Sequence, residues 1–187
     1  MPSRSLARTE PLGPLNGTLK LCNFEDGPQR LPTFGVFQAA ARPRRLVRLI
    51  LSRYRDGQTC GTHVDDAILA GARTDLSFTL FLSEEASYEG GALIVEDALE
   101  DRAFRLAPGD MVLYPSNMLH RVELVTSGER LAVVGWVTSW VREPARREVL
   151  FDLEQSLNEL HAVEGKSALF DRLEKTRTNL LRMWAEG

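Results

Sequence analysis

Between residues 45 and 139 the chain is built of short apolar runs cut by turn residues, and nothing between them repeats at helical spacing. RLVRLILSRY gives way to DGQ, TCGTHVD is followed by RTDLSFTLFLS, YEGG leads into ALIVED, RAFRLA ends at PGD, MVLYP follows, and RVELV reaches SGE before RLAVVGWVTSW. In RTDLSFTLFLS, Leu76, Phe78, Leu80 and Leu82 alternate with Ser77, Thr79 and Ser83, the period of a half-buried strand. Parallel neighbours would need crossovers of roughly a dozen residues or more, so these strands are expected to pair antiparallel. About eight such strands predict a mainly β protein, a double-sheet jelly roll.

The flanks read differently. Residues 1–40 carry Pro2, Pro11, Gly13, Pro14, Gly17, Gly27, Pro28 and Pro32, a density of breakers that predicts an irregular leading segment. At the other end Leu150, Leu153, Leu157 and Leu160 recur at helical spacing, as do Leu169, Leu173, Leu180 and Trp184 after Gly165. Residues 143–187 are therefore expected to form two amphipathic helices packed outside the 41–142 core. Their leucine faces suit that packing or the pairing of two protomers in a homodimer. EGKS resembles the end of a phosphate loop, but the first glycine of that motif would fall on Leu160, within a helix, so Gly165 reads as a helix stop.

Length and charge exclude several classes. A chain of 187 residues has room for one well-packed core, so a single domain over 1–187 is expected. A net charge of -3 gives no basic surplus for phosphates, which argues against nucleic acid or an anionic membrane as partner. No apolar run approaches the roughly 18 residues of a membrane helix, and no apolar stretch of a signal peptide follows Arg4 and Arg8. Cys22 and Cys60 are too few for a disulfide framework. These features together predict a cytoplasmic protein.

The chemistry concentrates in GTHVDDAIL, residues 61–69, in a chain with three histidines. On a strand, residues i and i+2 face one side, so His63 and Asp65 would project together. If that side is the interior, an imidazole and a carboxylate meet in poorly hydrated space, a conflict that a divalent metal resolves. His120, fifty-five residues after Asp65 and opening HRVELV, can supply a third ligand from across the sheet. Two histidines and a carboxylate occupy one face of an octahedron and leave the rest open, as in non-haem iron(II) oxygenases. The plainer alternative is a structural histidine bonded to a nearby aspartate. A zinc set of Cys60, His63 and Asp65 is the weaker reading, since three ligands within six residues of one strand cannot close a tetrahedron. His161, inside the first C-terminal helix, is expected to be exposed or to cap that helix.

Arg130 begins the last strand and shares a side with Ala132, Val134 and Trp136, whereas Leu131, Val133 and Val137 take the other. Both sides are apolar, so alternation leaves its direction open. Facing out, it is a solvated residue after Glu129. Facing in, its guanidinium needs a carboxylate, best met bidentately, and a dicarboxylate cosubstrate with one end on the metal supplies it.

With these residues in hand, SRYRDGQTCGTHVDDAI, RTDLSFTLFLS, YEGGALIVED, LAPGDMVLYPSNMLHRV and SGERLAVVGWVTSWVR are together similar to the iron(II)- and 2-oxoglutarate-dependent dioxygenases of the prolyl 4-hydroxylase type, and among them to the bacterial PKHD-type hydroxylases. The resemblance spans residues 45–155. It implies a double-stranded beta-helix, the cupin-like form of the jelly roll. It also implies iron(II) held by His63, Asp65 and His120, and 2-oxoglutarate held at its distal carboxylate by Arg130, ten residues after His120. The reaction implied is hydroxylation of an unactivated C–H bond of a protein side chain, amino acid or small metabolite by dioxygen, with release of succinate and carbon dioxide. L-ascorbate is implied as reductant. Asp65 argues against a halogenase, in which a small residue replaces the carboxylate.

The chain departs from the family pattern at several points. Ala132 stands where many relatives carry a serine that assists the arginine, so another hydroxyl is expected, Tyr54 first and Tyr114 as its competitor. Cys60 stands where an aromatic residue is common and reads as a small buried residue; Asp66 is expected to point away from the metal. Residues 1–35 do not resemble the longer helical start of the family. Two other readings remain beside hydroxylation. One is a cupin-like metal protein that consumes no oxygen, against which Arg130 speaks. The other is a non-catalytic sensor that binds iron and 2-oxoglutarate.

Overall fold

The structure is a computed structural model and describes residues 19–21 and 32–186. Its frame is a pair of long strands. β2 (Pro43–Arg55) lies antiparallel to β12 (Val125–Ser139) through eleven register partners, from Glu129 opposite Arg55 to Ser139 opposite Pro43. β6 (Leu76–Phe81) pairs with the other side of β12, β10 (Met111–Pro115) with β6, and β1 (Leu19–Leu21) with β10. The six-stranded sheet therefore runs β1, β10, β6, β12, β2, with β7 (Tyr88–Gly90) pairing the start of β12. A second sheet of four strands runs β3 (Cys60–His63), β11 (His120–Val122), β8 (Leu93–Glu96), β9 (Asp101–Phe104). A two-residue pair, β4 (Ile68–Leu69) and β5 (Ala72–Arg73), completes the set. Every pairing is antiparallel and no α-helix interrupts residues 43–139, so the two-sheet β architecture is the one expected. The twelve strands among the described residues exceed the eight anticipated because turns and bulges divide the runs into pieces as short as two residues.

Three local expectations are corrected. The leading segment is not irregular throughout: α1 (Pro32–Ala41) is a helix, and Pro32 opens it at a position where a fixed φ and a missing N–H cost nothing. The remaining breakers, in residues 1–18 and 22–31, lie outside the described residues. SGE is no hairpin turn; β12 runs through it, with Gly128 at φ 76° paired to Tyr88 beside a register shift. β6 is not half-buried but covered on both faces. Leu76 and Phe78 join Phe37, Ala40 and Ala41 of α1 in one apolar cluster with Leu113 and Val137. Phe81, on the opposite face, joins Leu93, Val95, Phe104, Leu106, Val112 and Tyr114 in a second cluster between the sheets. Each fully buried aliphatic or aromatic side chain of this kind contributes about 1.5–3 kcal/mol.

The C-terminal leucine repeats form α2 (Pro144–Glu164) and α3 (Ala168–Trp184), with Gly165 at φ 68° between them as the expected stop. Leu150 and Leu157 of α2 are buried, and α2 packs against α1 and α3 within the chain. Arg42, just past α1, donates to the Leu150 carbonyl at 3.2 Å and to the Glu154 carboxylate, fastening α2 to the sheet. His161 is exposed, its ring 5.0 Å from that of Phe170. No helix of the described residues is long and apolar enough to cross a membrane.

Candidate functional site

Register brings the two imidazoles together. His63 ends β3, His120 opens β11, and the two are direct cross-strand partners. Their ring centroids lie 4.3 Å apart. Each Nδ1 lies against a carbonyl: His63 Nδ1 is 2.8 Å from the Gly61 oxygen and His120 Nδ1 is 3.0 Å from the Met118 oxygen. A carbonyl can only accept, so Nδ1 is the donating nitrogen in both rings and Nε2 is the one left to face a metal. Burial lowers the His120 pKa from its ordinary value, which favours the neutral, ligating form.

Asp65 arrives by a different route from the one its spacing suggested. β3 stops at His63, so Asp65 lies beyond the strand, in the following loop. Its backbone N–H donates to the Ser116 carbonyl at 3.2 Å, and its Oδ2 accepts from Ser77 Oγ at 2.5 Å. Ser77 Oγ is in turn 2.8 Å from Ser116 Oγ. Two buried serines thus set the orientation of the carboxylate, which stands 3.7 Å from His120 Nε2. His63, Asp65 and His120 each offer a ligand atom, and the three atoms lie within 4.8 Å of one another. Two neutral imidazole nitrogens and a carboxylate are the donor chemistry of a divalent iron site, so these residues fit the metal.

Arg130 faces inward. It is paired with Tyr54 of β2, and alternation along β12, β6 and β10 puts Arg130, Ala132, Val134, Ser77, Thr79, Phe81, Val112 and Tyr114 on one face. The side chain is 1% exposed, and its guanidinium carbon lies 5.3 Å from the Phe81 ring and 5.7 Å from the Tyr54 ring. Gly91 (φ 63°) lets Tyr88 approach, because a Cβ there would lie 3.2 Å from Arg130 Cδ and 3.3 Å from Tyr88 Cε2. Among the described residues Arg130 Nε and Nη2 find no hydrogen-bond partner, and neither do the buried hydroxyls of Thr79 and Tyr88. Nε and Nη2 form one edge of the guanidinium, the fork that takes a carboxylate. A buried cation with its fork unmatched, near Tyr88 and on the sheet face that also carries the unmatched Thr79 hydroxyl, fits a carboxylate ligand.

The tyrosines divide. Tyr54 is half-buried against Arg130, and burial raises the pKa of its hydroxyl. Tyr114 is fully buried with its ring 5.0 Å from His120; burial first, and the Asp65 charge second, push its hydroxyl well above the ordinary range. Both stay neutral hydroxyls. Cys60 is half-buried, its Sγ 3.9 Å from His63 Nδ1, rather than enclosed in apolar core. Asp66 is exposed, as expected, and its carbonyl accepts from the Thr74 hydroxyl. Thr79, Tyr88, Ser77 and Ser116 were not singled out from the sequence. The alternation of Ser77 and Thr79 with Leu76 and Phe78 was the available signal, because a strand buried on both faces needs a use for its hydroxyls.

Residues 49–138 match the family model of the 2OG-Fe(II) oxygenase superfamily, and residues 145–186 that of the PKHD-type hydroxylase C-terminal domain. A PKHD-type hydroxylase of Idiomarina loihiensis is 49% identical over 84% of this chain and 72% of its own length. Another, of Parvibaculum lavamentivorans, is 53% identical over the same two shares. Among solved structures, a Pseudomonas putida prolyl-4-hydroxylase is 20% identical, with a TM-score of 0.46 and coverage of 57% of this chain and 61% of its own.

Proposed function

The chain belongs to the 2OG-Fe(II) oxygenase superfamily and, within it, to the PKHD-type hydroxylases, and from that premise we propose how its residues divide the work of hydroxylation. It is an oxidoreductase, a 2-oxoglutarate-dependent hydroxylase, whose family implies iron(II) and 2-oxoglutarate. His63, Asp65 and His120 are the residues that would hold the iron. Bound together, the metal and cosubstrate supply a dioxygen-dependent oxidation in which one oxygen atom goes to the substrate as hydroxyl and the other to succinate, with loss of carbon dioxide.

The chain itself contributes orientation, charge and dryness. Arg130 takes the distal carboxylate of 2-oxoglutarate on its Nε and Nη2 edge, and the Thr79 and Tyr88 hydroxyls supply the help that Ala132 cannot. Tyr54 lies against the guanidinium, its ring 5.7 Å from the guanidinium carbon. Phe81, Val112 and Tyr114 keep water from the far end of the cosubstrate, which strengthens the charge pairing. Ser77 donates to Asp65 Oδ2 and keeps that carboxylate turned toward the two Nε2 lone pairs. L-ascorbate as reductant belongs to the same proposal.

The observation that carries this reading is the buried, unmatched edge of Arg130 on the inner face of the six-stranded sheet, which packs against the sheet that carries His63 and His120. A sensor or a cofactor-free metal protein is separated from it by turnover. Protein loaded with iron(II) is given 2-oxoglutarate, air and L-ascorbate, which supplies the two electrons that the substrate otherwise gives, and succinate is measured by mass spectrometry in wild type and in Asp65→Ala. Succinate formed by wild type and absent from Asp65→Ala is the expected result. Equal succinate from both proteins contradicts the ligand set, and none from either contradicts the reaction.

A further inference from the structure

The four-stranded sheet carries a second arginine that the mechanism leaves unused. His63 is opposite His120, His120 opposite Val95, and Val95 opposite Arg102, so one cross-strand row leads from the metal ligands on β3 and β11 to Arg102 on β9. Residues in such a row share a face of the sheet. Here that face is the interior one, because the next row on the same face, two residues along each strand, places Leu93 opposite Phe104, both members of the cluster between the sheets. Two strand spacings separate the backbones of His120 and Arg102, about 10 Å.

The surroundings of Arg102 are unlike those of the arginine on the outer face. Arg121, next to His120 and pointing the other way, is met by Glu96 at 3.0 Å and Asp101 at 2.9 Å. Arg102 has one carboxylate near it, with Nη2 3.6 Å from Asp97 Oδ2, a separation that neutralises charge without making a hydrogen bond. Its Nε and Nη1 are buried and without a partner among the described residues. Water-stripped guanidinium nitrogens left unpaired are costly unless an acceptor arrives. Apart from Asp97, its nearest neighbours on that face, Val95, Leu93 and Phe104, are apolar and offer no side-chain acceptor.

We propose that Arg102 is a substrate-binding residue that takes a carboxylate of the molecule to be hydroxylated, so that the substrate is a carboxylic acid held two strands away from the metal ligands. This deepens the hydroxylase reading and rests on it. The separation of the two arginines assigns them different carboxylates: Arg130 lies in the six-stranded sheet and receives the cosubstrate, whereas Arg102 lies in the opposite sheet, two strands from His120. The class named is an acid such as a free amino acid or the C-terminus of a peptide, as opposed to an internal peptide segment.

The test uses full-length protein loaded with manganese(II) and 2-oxoglutarate, which binds substrate without turning it over. The free proteinogenic L-amino acids and their carboxamides are titrated in by calorimetry, into wild type, Arg102→Gln and Arg102→Lys, with melting curves to verify folding. At least one acid is expected to bind wild type about tenfold or more tightly than its amide, a preference that falls to about one in Arg102→Gln and is partly kept in Arg102→Lys. Absence of any acid-over-amide preference in wild type, or its persistence in Arg102→Gln, overturns the assignment. The affinity for 2-oxoglutarate is measured in parallel. If wild type binds 2-oxoglutarate but shows no acid-over-amide preference, or if that preference persists in Arg102→Gln, the hydroxylase reading stands and only the role of Arg102 fails; if wild type does not bind 2-oxoglutarate, both fall together.

Discussion

Replacing Arg130 with methionine should move two quantities in opposite directions. The substitution keeps an unbranched apolar stem in the space between Phe81, Tyr88 and Gly91 and deletes the fork whose Nε and Nη2 are unpaired. If those two groups each make a charge-assisted hydrogen bond to 2-oxoglutarate, at about 1.5–3 kcal/mol apiece, their loss costs about 3–6 kcal/mol. That weakens 2-oxoglutarate binding by roughly two to four orders of magnitude. In the ligand-free protein the same deletion removes a desolvated cation whose ionisation burial already opposes, so stability is unchanged or rises by about 1–4 kcal/mol. For a chain of this length each kcal/mol shifts Tm by roughly 2–4 °C. Calorimetric titration of 2-oxoglutarate into manganese(II)-loaded protein gives the first number, and thermal melting without ligand gives the second. A change in Kd of less than about tenfold would refute the cosubstrate role. A Tm lowered by several degrees would refute the claim that the guanidinium is unmatched in the free protein.

Other perturbations test the frame around the site. Ser77→Ala removes the hydrogen bond that turns Asp65 toward the imidazoles, and manganese(II) affinity measured by electron paramagnetic resonance should fall by about 10- to 100-fold while the melting curve stays close to wild type. Leu150→Ala empties a fully buried position on α2; a loss of about 2–5 kcal/mol is expected, seen as a lower urea midpoint at unchanged slope. The Arg177 guanidinium, bonded at 2.9 Å and 2.6 Å, holds the Glu174 carboxyl below its ordinary value. Its small contribution is therefore complete above the unfolded-state pKa and disappears as pH falls through the lower folded one. The stability gap between wild type and Glu174→Gln should close on acidification, and a gap that widens would reverse the assignment.

Much of this arrangement could be read before the coordinates. The long runs RLVRLILSRY and RLAVVGWVTSW became the β2 and β12 pair, and the leucine repeats became α2 and α3, because in each a single periodicity dominates. α1 was missed because breaker density was counted without position: a proline that ends a helix from within is well placed at its first turn. Alternation divides a strand into two faces but cannot say which face is covered. That is why Arg130 stayed ambiguous until pairing with Tyr54 fixed its side, and why Ser77 and Thr79 looked like solvent-facing residues of a half-buried strand. Asp65 came to the right place by the wrong argument, since a loop anchored on Ser116 delivers it and strand alternation does not. Tyr88 and Arg102 gave no local signal, since what distinguishes them is the lack of a partner, a property of the assembled pocket alone.

The direct opposition of His63 and His120 ties the proposed chemistry to the way the chain closes on itself. Sliding β11 by one residue against β3 would turn His120 to the outer face and bring Arg121 inward, dispersing the ligands while leaving nearly as many ladder hydrogen bonds intact. Capture of a divalent ion would reward one alignment and penalise its neighbours, so ion uptake doubles as a proofreading step during refolding. A preparation that regains its β signal but takes up less than one ion per chain would then contain misaligned molecules, separable from the correct ones by metal content and not by secondary structure.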